Sequence, residues 1–178
     1  MAARYAVSTG KVLEVILWLA RQQPGIDVYH VVKCAFYADK LHLNRYGRPI
    51  SGDDYTADTY GPLGKVTYGL LRHEPLEILA LGGNGKLPFR VEDGLYVYAD
   101  RDPNPGRLSD SDIAALDEAY RENGHKSFEQ LKQESHQDPS YVSADGGRMS
   151  YEDMLSPDDP KRAEKIAYLR ETARTAAL

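Results

Sequence analysis

Apolar residues near the start of the chain follow a helical period and leave almost no polar face. Between Val12 and Leu19 they cover nearly the whole circumference of a helix. A helix that is apolar all round is buried in the core of a protein. Ser8 or Thr9 can cap its first turn, and the pattern predicts that the helix runs to about Arg21.

A second helix is predicted between Asp27 and Gly47. Asp27 is a favourable N-cap because its carboxylate can accept from the free amides of the first turn, and Gly47 suits the left-handed position after the last turn. Asp39 falls on the apolar stripe of this helix, so we expect it to be at least partly buried. A buried carboxylate needs hydrogen-bonding partners, and we expect them around Tyr60-Gly61-Pro62.

Short extended runs follow these two helices. Tyr55 to Tyr60 alternates aromatic or small residues with polar ones, which predicts a strand. Gly61-Pro62 is predicted to open a third helix that ends near His73, with the proline at its tolerated first position. Leu87 to Asp100 is typical of a β-hairpin around an Asp93-Gly94 turn. The predicted cross-strand pairs, whose side chains pack on helices, are Val91 with Tyr96 and Phe89 with Tyr98.

The second half of the chain contains three serines that mark the starts of helices. Each is followed three residues later by a side chain that can close a capping box. The pairs are Ser109 with Asp112, Ser127 with Gln130, and Ser150 with Asp153. Asp159-Pro160 then predicts a last helix from Lys161 to about Thr175.

These elements predict an α+β fold: a mostly helical single domain of six or seven helices with a small antiparallel β-sheet or hairpin. A chain of 178 residues is long enough for one domain with a substantial core. No repeat or shift of composition divides it. We therefore expect one domain over residues 1–178, with a core at 10–140 and a C-terminal helical extension at 150–176.

Composition and charge narrow the class of function. Charged residues make up 28% and hydrophobic residues 42% of the chain, an ordinary globular mixture. The net charge of −5 is spread along the chain, which disfavours a nucleic-acid partner because such proteins usually carry a basic stripe. The first apolar run is too short to span a bilayer, so we expect a cytoplasmic protein that does not bind a membrane. The single cysteine, Cys34, is expected to be a buried, packed thiol.

No group of residues forms a recognisable catalytic or metal-binding motif. The five histidines are dispersed without metal-ligand spacing, so neither a metal nor a cofactor is expected. The residues alone indicate a small α+β binding domain and leave two alternatives open. One is a hydrolase-like enzyme that uses Asp39 with His42 or Tyr60. The other is a transcriptional regulator, which requires a basic face.

Tyrosines are concentrated in one part of the chain. Six of the thirteen lie between Asp27 and Gly69. Tyrosine combines an apolar ring with a polar tip and is enriched where proteins bind proteins. The group is therefore a candidate for partner contacts as well as for half-buried packing.

The run from Tyr37 to Pro62 carries the most specific motifs. They are Tyr37-Ala38-Asp39-Lys40, Tyr46-Gly47, Pro49-Ile50-Ser51-Gly52 and Tyr60-Gly61-Pro62. A second set consists of Leu108-Ser109, Leu116-Asp117, Ser127, Leu131, Ser135-His136 and Pro139. In order and spacing, these motifs resemble the Panacea domain, the family of the SocA-like antitoxins.

The resemblance implies an antitoxin of a prokaryotic toxin–antitoxin pair that neutralises a cognate toxin by direct protein–protein binding and is not an enzyme. The toxin is expected to be encoded by the adjacent gene, and the family also implies a role as an adaptor for a ClpXP-type protease. Partner choice is expected to involve the Leu70–Gly85 segment and the C-terminal helix. The candidates for family-motif and partner-binding residues are Tyr37, Asp39, Lys40, Tyr46, Gly47, Gly52, Tyr60, Gly61 and Pro62.

Overall fold

Helices dominate the fold, as the sequence predicts. The computed structural model describes residues 5–175, with side chains described as far as residue 173; residues 1–4 and 176–178 of the predicted domain lie outside this range. Nine helices occur in the described range, two more than the most that the pattern predicts. They are α1 (Thr9–Gln22), α2 (Val28–Tyr46), α3 (Lys65–Leu71), α4 (Pro75–Leu81), α5 (Asp110–Asn123), α6 (Phe128–His136), α7 (Pro139–Ala144), α8 (Tyr151–Met154) and α9 (Arg162–Thr175).

Five short strands form two separate antiparallel sheets in the described residues, not one. The strands are β1 (Ile26–Asp27), β2 (Tyr55–Asp58), β3 (Gly61–Gly64), β4 (Phe89–Glu92) and β5 (Tyr96–Ala99). One sheet has the order β1-β5-β4 and the other pairs β2 with β3. The two-residue strand β1 is too short to leave an alternating pattern, so the sequence does not indicate it.

The predicted ends of the first two helices are confirmed. The Ser8 side chain caps α1 by accepting from Lys11 N, and Asp27 caps α2 by accepting from His30 N. Gly47 follows α2 in the left-handed region, with φ of 74°. These signals are local, which is why the sequence alone identifies them.

The prediction that Gly61-Pro62 opens a helix is wrong. Both residues lie in β3, where Pro62 is opposite Ala57 of β2. A proline lacks a backbone N–H but can occupy a strand with a free edge, and each strand of a two-stranded sheet has one. The helix begins at Lys65 instead, and the buried Asp53 carboxylate accepts from the amides of its second and third residues.

The β4–β5 hairpin forms around Asp93-Gly94, but its predicted pairing is wrong. Both turn residues have positive φ, as a type I′ turn requires, and Leu95 N donates to Glu92 O over 2.9 Å. Leu95 is an additional residue in the connection, so it shifts the register by one. The observed pairs are Val91 with Val97 and Phe89 with Ala99. The shift changes which side chains face the core: Val97 is buried, whereas Tyr96 is 43% exposed.

Capping boxes start α5 and α6 as predicted. Ser109 with Asp112 and Ser127 with Gln130 both make the reciprocal hydrogen bonds. Ser150 caps α8 but accepts from Glu152 N, so the predicted box with Asp153 does not form. α9 begins within one residue of the predicted start. α4 and α7, which each begin at a proline, are not among the predicted helices.

α2 runs through the middle of the fold and contributes to two hydrophobic clusters. The larger cluster contains most of α1 with Val31 and Cys34 of α2. The smaller one contains Phe36 and Leu43 of α2 with β2, α8 and α9. None of the helices in residues 5–175 has the length and apolar character needed to cross a membrane. The central position of α2 places its polar side chains between the elements that surround it.

Candidate partner-binding surface

The Asp39 carboxylate organises the turn that follows α2. Its Oδ1 accepts from the backbone amides of Ile50 and Ser51 over 2.8 and 3.0 Å, and its Oδ2 accepts from Ser51 Oγ and Tyr55 Oη, each over 2.8 Å. Asp39 is only 2% exposed. Burial raises its pKa to about 6 in spite of these four donors. Burial is therefore confirmed, but the expected tie to Tyr60-Gly61-Pro62 is wrong: the carboxylate binds the turn and β2.

A second buried carboxylate continues this network. Asp53 accepts from Val66 N, from Thr67 N and from Thr67 Oγ1, all within 2.9 Å. The Asp53 amide donates to Ser51 Oγ, which itself donates to Asp39. Each carboxylate has several donors of its own, so the pair joins α2, the turn after it and α3 as one polar framework.

Three further motif residues support the same framework. Lys40 forms an ion pair with Asp138, whose carboxylate also caps α7. Gly47 lies against the ring of Tyr168. Gly52 has φ of 70°, and a Cβ added at this position would lie 3.0 Å from the Cβ of Tyr5. The described contacts therefore give Lys40, Gly47 and Gly52 structural partners within the chain.

Gly61 and Pro62 lie over a buried lysine that is not among the predicted site residues. Lys33 of α2 is 1% exposed, and its Nζ donates to Pro62 O over 2.7 Å. A Cβ on Gly61 would lie 2.3 Å from Ser135 Oγ and 3.1 Å from Lys33 Nζ. Because Gly61 also has φ of 105°, only glycine fits this position without strain.

Aromatic side chains form a cluster beside the lysine. Lys33 Nζ is 4.8 Å from the centre of the Tyr29 ring, and Tyr29 Oη donates to Tyr60 O over 2.9 Å. The Phe128 ring lies 4.4 Å from the ring of Tyr29 and 5.7 Å from that of Tyr60. Lys132 Nζ approaches the Tyr60 ring to 5.7 Å. The result is a cluster of rings and cations from α2, the β2–β3 turn and α6.

A cleft of about 340 Å³ opens beside this cluster. We call it the Lys33 cleft; its lining includes Tyr29, Lys33, Asp58, Tyr60, Gly61, Leu63, Tyr68, Arg72 and Leu95. Tyr60 is 53% exposed, and Tyr68, Leu95 and the neighbouring Phe128 are each about 40% exposed. Burial lowers the pKa of Lys33 to about 7, although the carboxylate of Asp58 acts in the opposite direction. The surface is therefore apolar and aromatic, with cationic groups.

The remaining two candidates lie elsewhere. Tyr37 is half-buried between the two hydrophobic clusters and lines a separate cavity of about 340 Å³ with Lys40 and Asn44. Tyr46 is 54% exposed at the end of α2, where its ring lies 4.6 Å from that of His42. The nine predicted residues therefore do not form one site: only Tyr60, Gly61 and Pro62 meet at the Lys33 cleft.

The side chains of the hydrolase alternative have separate partners. His42 is buried and bonds to Arg48 O through Nδ1 and to Ser111 Oγ through Nε2, with Asp112 Oδ1 3.2 Å away. None of these partners is shared with Asp39. Burial lowers the pKa of His42 and raises that of Cys34 to about 12. A thiol with a raised pKa is a poor nucleophile at neutral pH because little of it is thiolate.

The comparison with known proteins assigns the family. The sequence model of the "Antitoxin SocA-like, Panacea domain" family matches residues 31–140, more than half of the chain. This protein therefore belongs to the SocA-like Panacea family of antitoxins. The matched segment includes Lys33, Tyr60-Gly61-Pro62, Arg72 and Phe128. No curated protein and no solved structure matches the chain.

Proposed function

We propose that this protein is an antitoxin that neutralises a cognate toxin by binding it directly, without catalysing a reaction. Membership of the SocA-like antitoxin family supports the role. The observation that carries the binding mechanism is the group of half-exposed aromatic side chains around the Lys33 cleft. Aromatic residues concentrate binding energy at protein interfaces because they bury large areas at low entropic cost.

The toxin is proposed to seat on the Lys33 cleft and on the exposed rings beside it. Tyr60 lies in the β2–β3 turn, Tyr68 in α3 and Phe128 in α6. The Phe128 ring packs against the rings of Tyr29 and Tyr60, so this part of the surface is already ordered before binding. Surfaces of this kind lose less entropy when a partner docks. The adjacent gene is the proposed source of the toxin.

The experiment titrates the purified protein against the purified product of the adjacent gene and follows the toxin's activity. Neutralisation by binding requires about one equivalent of this protein for full rescue, because each toxin molecule must remain occupied. Gel filtration should show a stable complex, since specific interfaces bury about 1,200–2,000 Å² in total. Full rescue at a small fraction of an equivalent, or a changed toxin mass, would indicate an enzyme instead.

A role as a protease adaptor belongs to the same proposal. An adaptor needs a second surface that stays accessible when the toxin is bound. Leu76 and Leu79 of α4 are 79% and 76% exposed and do not line the Lys33 cleft. The test is degradation of the toxin by a purified ClpXP-type protease with the wild-type chain and with Leu76→Ser/Leu79→Ser. Equal toxin half-lives with both chains would remove α4 from the proposal.

A further inference from the structure

Lys33 is a buried cation whose bonding capacity is only partly used. An ammonium group has three N–H donors, and among the described residues its one hydrogen-bond acceptor is Pro62 O. The face of the Tyr29 ring supplies a weaker electrostatic contact. Buried charges in proteins are normally paired, so the ammonium group can take a further acceptor where the cleft meets it.

Among the described residues, two other cations lie near the cleft without an ion pair. In residues 5–173, Arg72 and Lys132 form no salt bridge, and Lys132 instead lies over the Tyr60 ring. Asp58 is the one acidic side chain among the described lining residues, and it accepts from its neighbour Thr59 N. When Lys33 is protonated, the described lining carries two cations, Lys33 and Arg72, against the one carboxylate of Asp58. On a chain with a net charge of −5, this local positive excess favours an acidic ligand through electrostatic complementarity.

We propose that the Lys33 cleft binds an acidic side chain of the toxin, with an apolar residue next to it on the same segment. The carboxylate would pair with Lys33 and Arg72, and the apolar neighbour would pack against Tyr60, Tyr68 and Leu95. This inference rests on the proposed function and names the chemistry of the toxin segment. Since burial holds the pKa of Lys33 near 7, an entering carboxylate would also keep the ammonium group protonated.

An acidic side chain fits the donors better than a chain terminus does. Terminal carboxylates are typically captured by backbone amides arranged as a nest. In the Lys33 cleft the cationic donors are the side chains of Lys33 and Arg72, and the amide of Thr59 at its rim already donates to Asp58. The lining also includes the rings of Tyr29, Tyr60 and Tyr68, which favours an apolar residue beside the charge.

The test needs no toxin. The ¹⁵N-labelled full chain is titrated with three dipeptides and followed by NMR. Acetyl-Phe-Glu-amide and acetyl-Phe-Gln-amide are blocked at both ends, whereas acetyl-Gln-Phe has a free terminal carboxylate. Ligands of this size reach dissociation constants on the order of millimolar. The Glu peptide should shift the amide resonances of Gly61, Leu63 and Leu95. It should also bind at least about fivefold more tightly than the other two peptides.

Equal binding of the Glu and Gln peptides, no shifts at the cleft, or tightest binding by the free terminus would each overturn the proposal. Lys33→Met should remove the preference for the Glu peptide, whereas the matched Lys86→Met in an exposed loop should keep it. Arg72→Gln, an exposed change that leaves Lys33 in place, should weaken the preference and covers the case in which Lys33→Met does not fold. A failed peptide test with intact toxin rescue would reject this site and leave the antitoxin role standing.

Discussion

Asp39 and Lys33 are buried charges on the same helix, and they are satisfied to very different degrees. The Asp39 carboxylate has four donors within 3.0 Å, all from the turn after α2 and from β2. Within residues 5–173, the Lys33 ammonium group has one acceptor, and a cleft lies beside it. A charge that is fully satisfied inside the chain is part of the framework. A charge that is partly satisfied next to a cleft remains able to bind a partner.

The two groups also titrate in opposite directions. The native pKa of Asp39 is raised to about 6, so its contribution to stability falls as the pH rises from about 4 to 6. The native pKa of Lys33 is lowered to about 7, so its contribution rises as the pH rises above 7. Near neutral pH the ionised forms of both groups therefore lower the stability of the fold. Only the cost of the Asp39 charge is offset by a full set of hydrogen bonds.

The largest expected effect is the loss of stability when Asp39, the centre of the polar framework, is replaced. Asp39→Ala should lower the free energy of unfolding by about 3 kcal/mol, because it leaves the amides of Ile50 and Ser51 and the hydroxyl of Tyr55 without an acceptor. Chemical denaturation measures the change. The matched control is Asp158→Ala at an exposed position, which should stay within about 0.5 kcal/mol of wild type. An unchanged midpoint for Asp39→Ala together with lost toxin binding would make Asp39 an interface residue.

Gly61→Ala should cost about 2 kcal/mol of stability. Alanine would have to adopt the positive φ of this position, which L-residues rarely do, and its methyl group would meet Ser135 Oγ and Lys33 Nζ. The control is Gly85→Ala, since Gly85 also has positive φ but the described part of the chain has no atom within 4 Å of the new methyl group. That change should cost about 1 kcal/mol from the backbone alone. If both variants lose the same stability, the close approach of Gly61 to the lysine has no energetic weight.

An effect that is smaller for each pH unit distinguishes Lys33 from the Asp39 framework. Above about pH 7 the native lysine binds fewer protons than the unfolded chain, so wild-type stability should rise with pH relative to Lys33→Met, by at most about 1.4 kcal/mol per pH unit. Urea denaturation of both proteins between pH 7 and pH 9 measures the difference. Parallel curves would show that Lys33 keeps an ordinary pKa and is effectively solvated.

Local signals in the sequence account for much of the fold. The capping residues of α1, α2, α5 and α6 lie within a few positions of the groups they bond, so the pattern predicts these helices correctly. The sequence predicts a helix at Gly61-Pro62, but the same dipeptide suits both a helix start and an edge strand. Only pairing with β2 decides between them. Leu95 likewise shifts the β4–β5 register in a way that the Asp93-Gly94 signal does not reveal.

The cleft was harder to predict than the fold. Lys33 stands among apolar residues of α2, and that unusual position was the one available signal. Its significance depends on Tyr60-Gly61-Pro62, Arg72 and Phe128, which reach the same place through tertiary packing. The motif run from Tyr37 to Pro62 indicated the family correctly. It did not separate residues that build the framework from residues that face a partner.

The most direct test of the account compares two tyrosines of nearly equal exposure. Tyr60 at the Lys33 cleft is 53% exposed and Tyr46 at the end of α2 is 54% exposed. Binding of the adjacent-gene toxin is measured by calorimetry with Tyr60→Ala and with Tyr46→Ala. The account predicts at least about a tenfold loss of affinity for Tyr60→Ala, or about 1.4 kcal/mol, and little change for Tyr46→Ala. Equal effects, or a larger loss for Tyr46→Ala, would contradict the assignment of the Lys33 cleft as the toxin-binding surface.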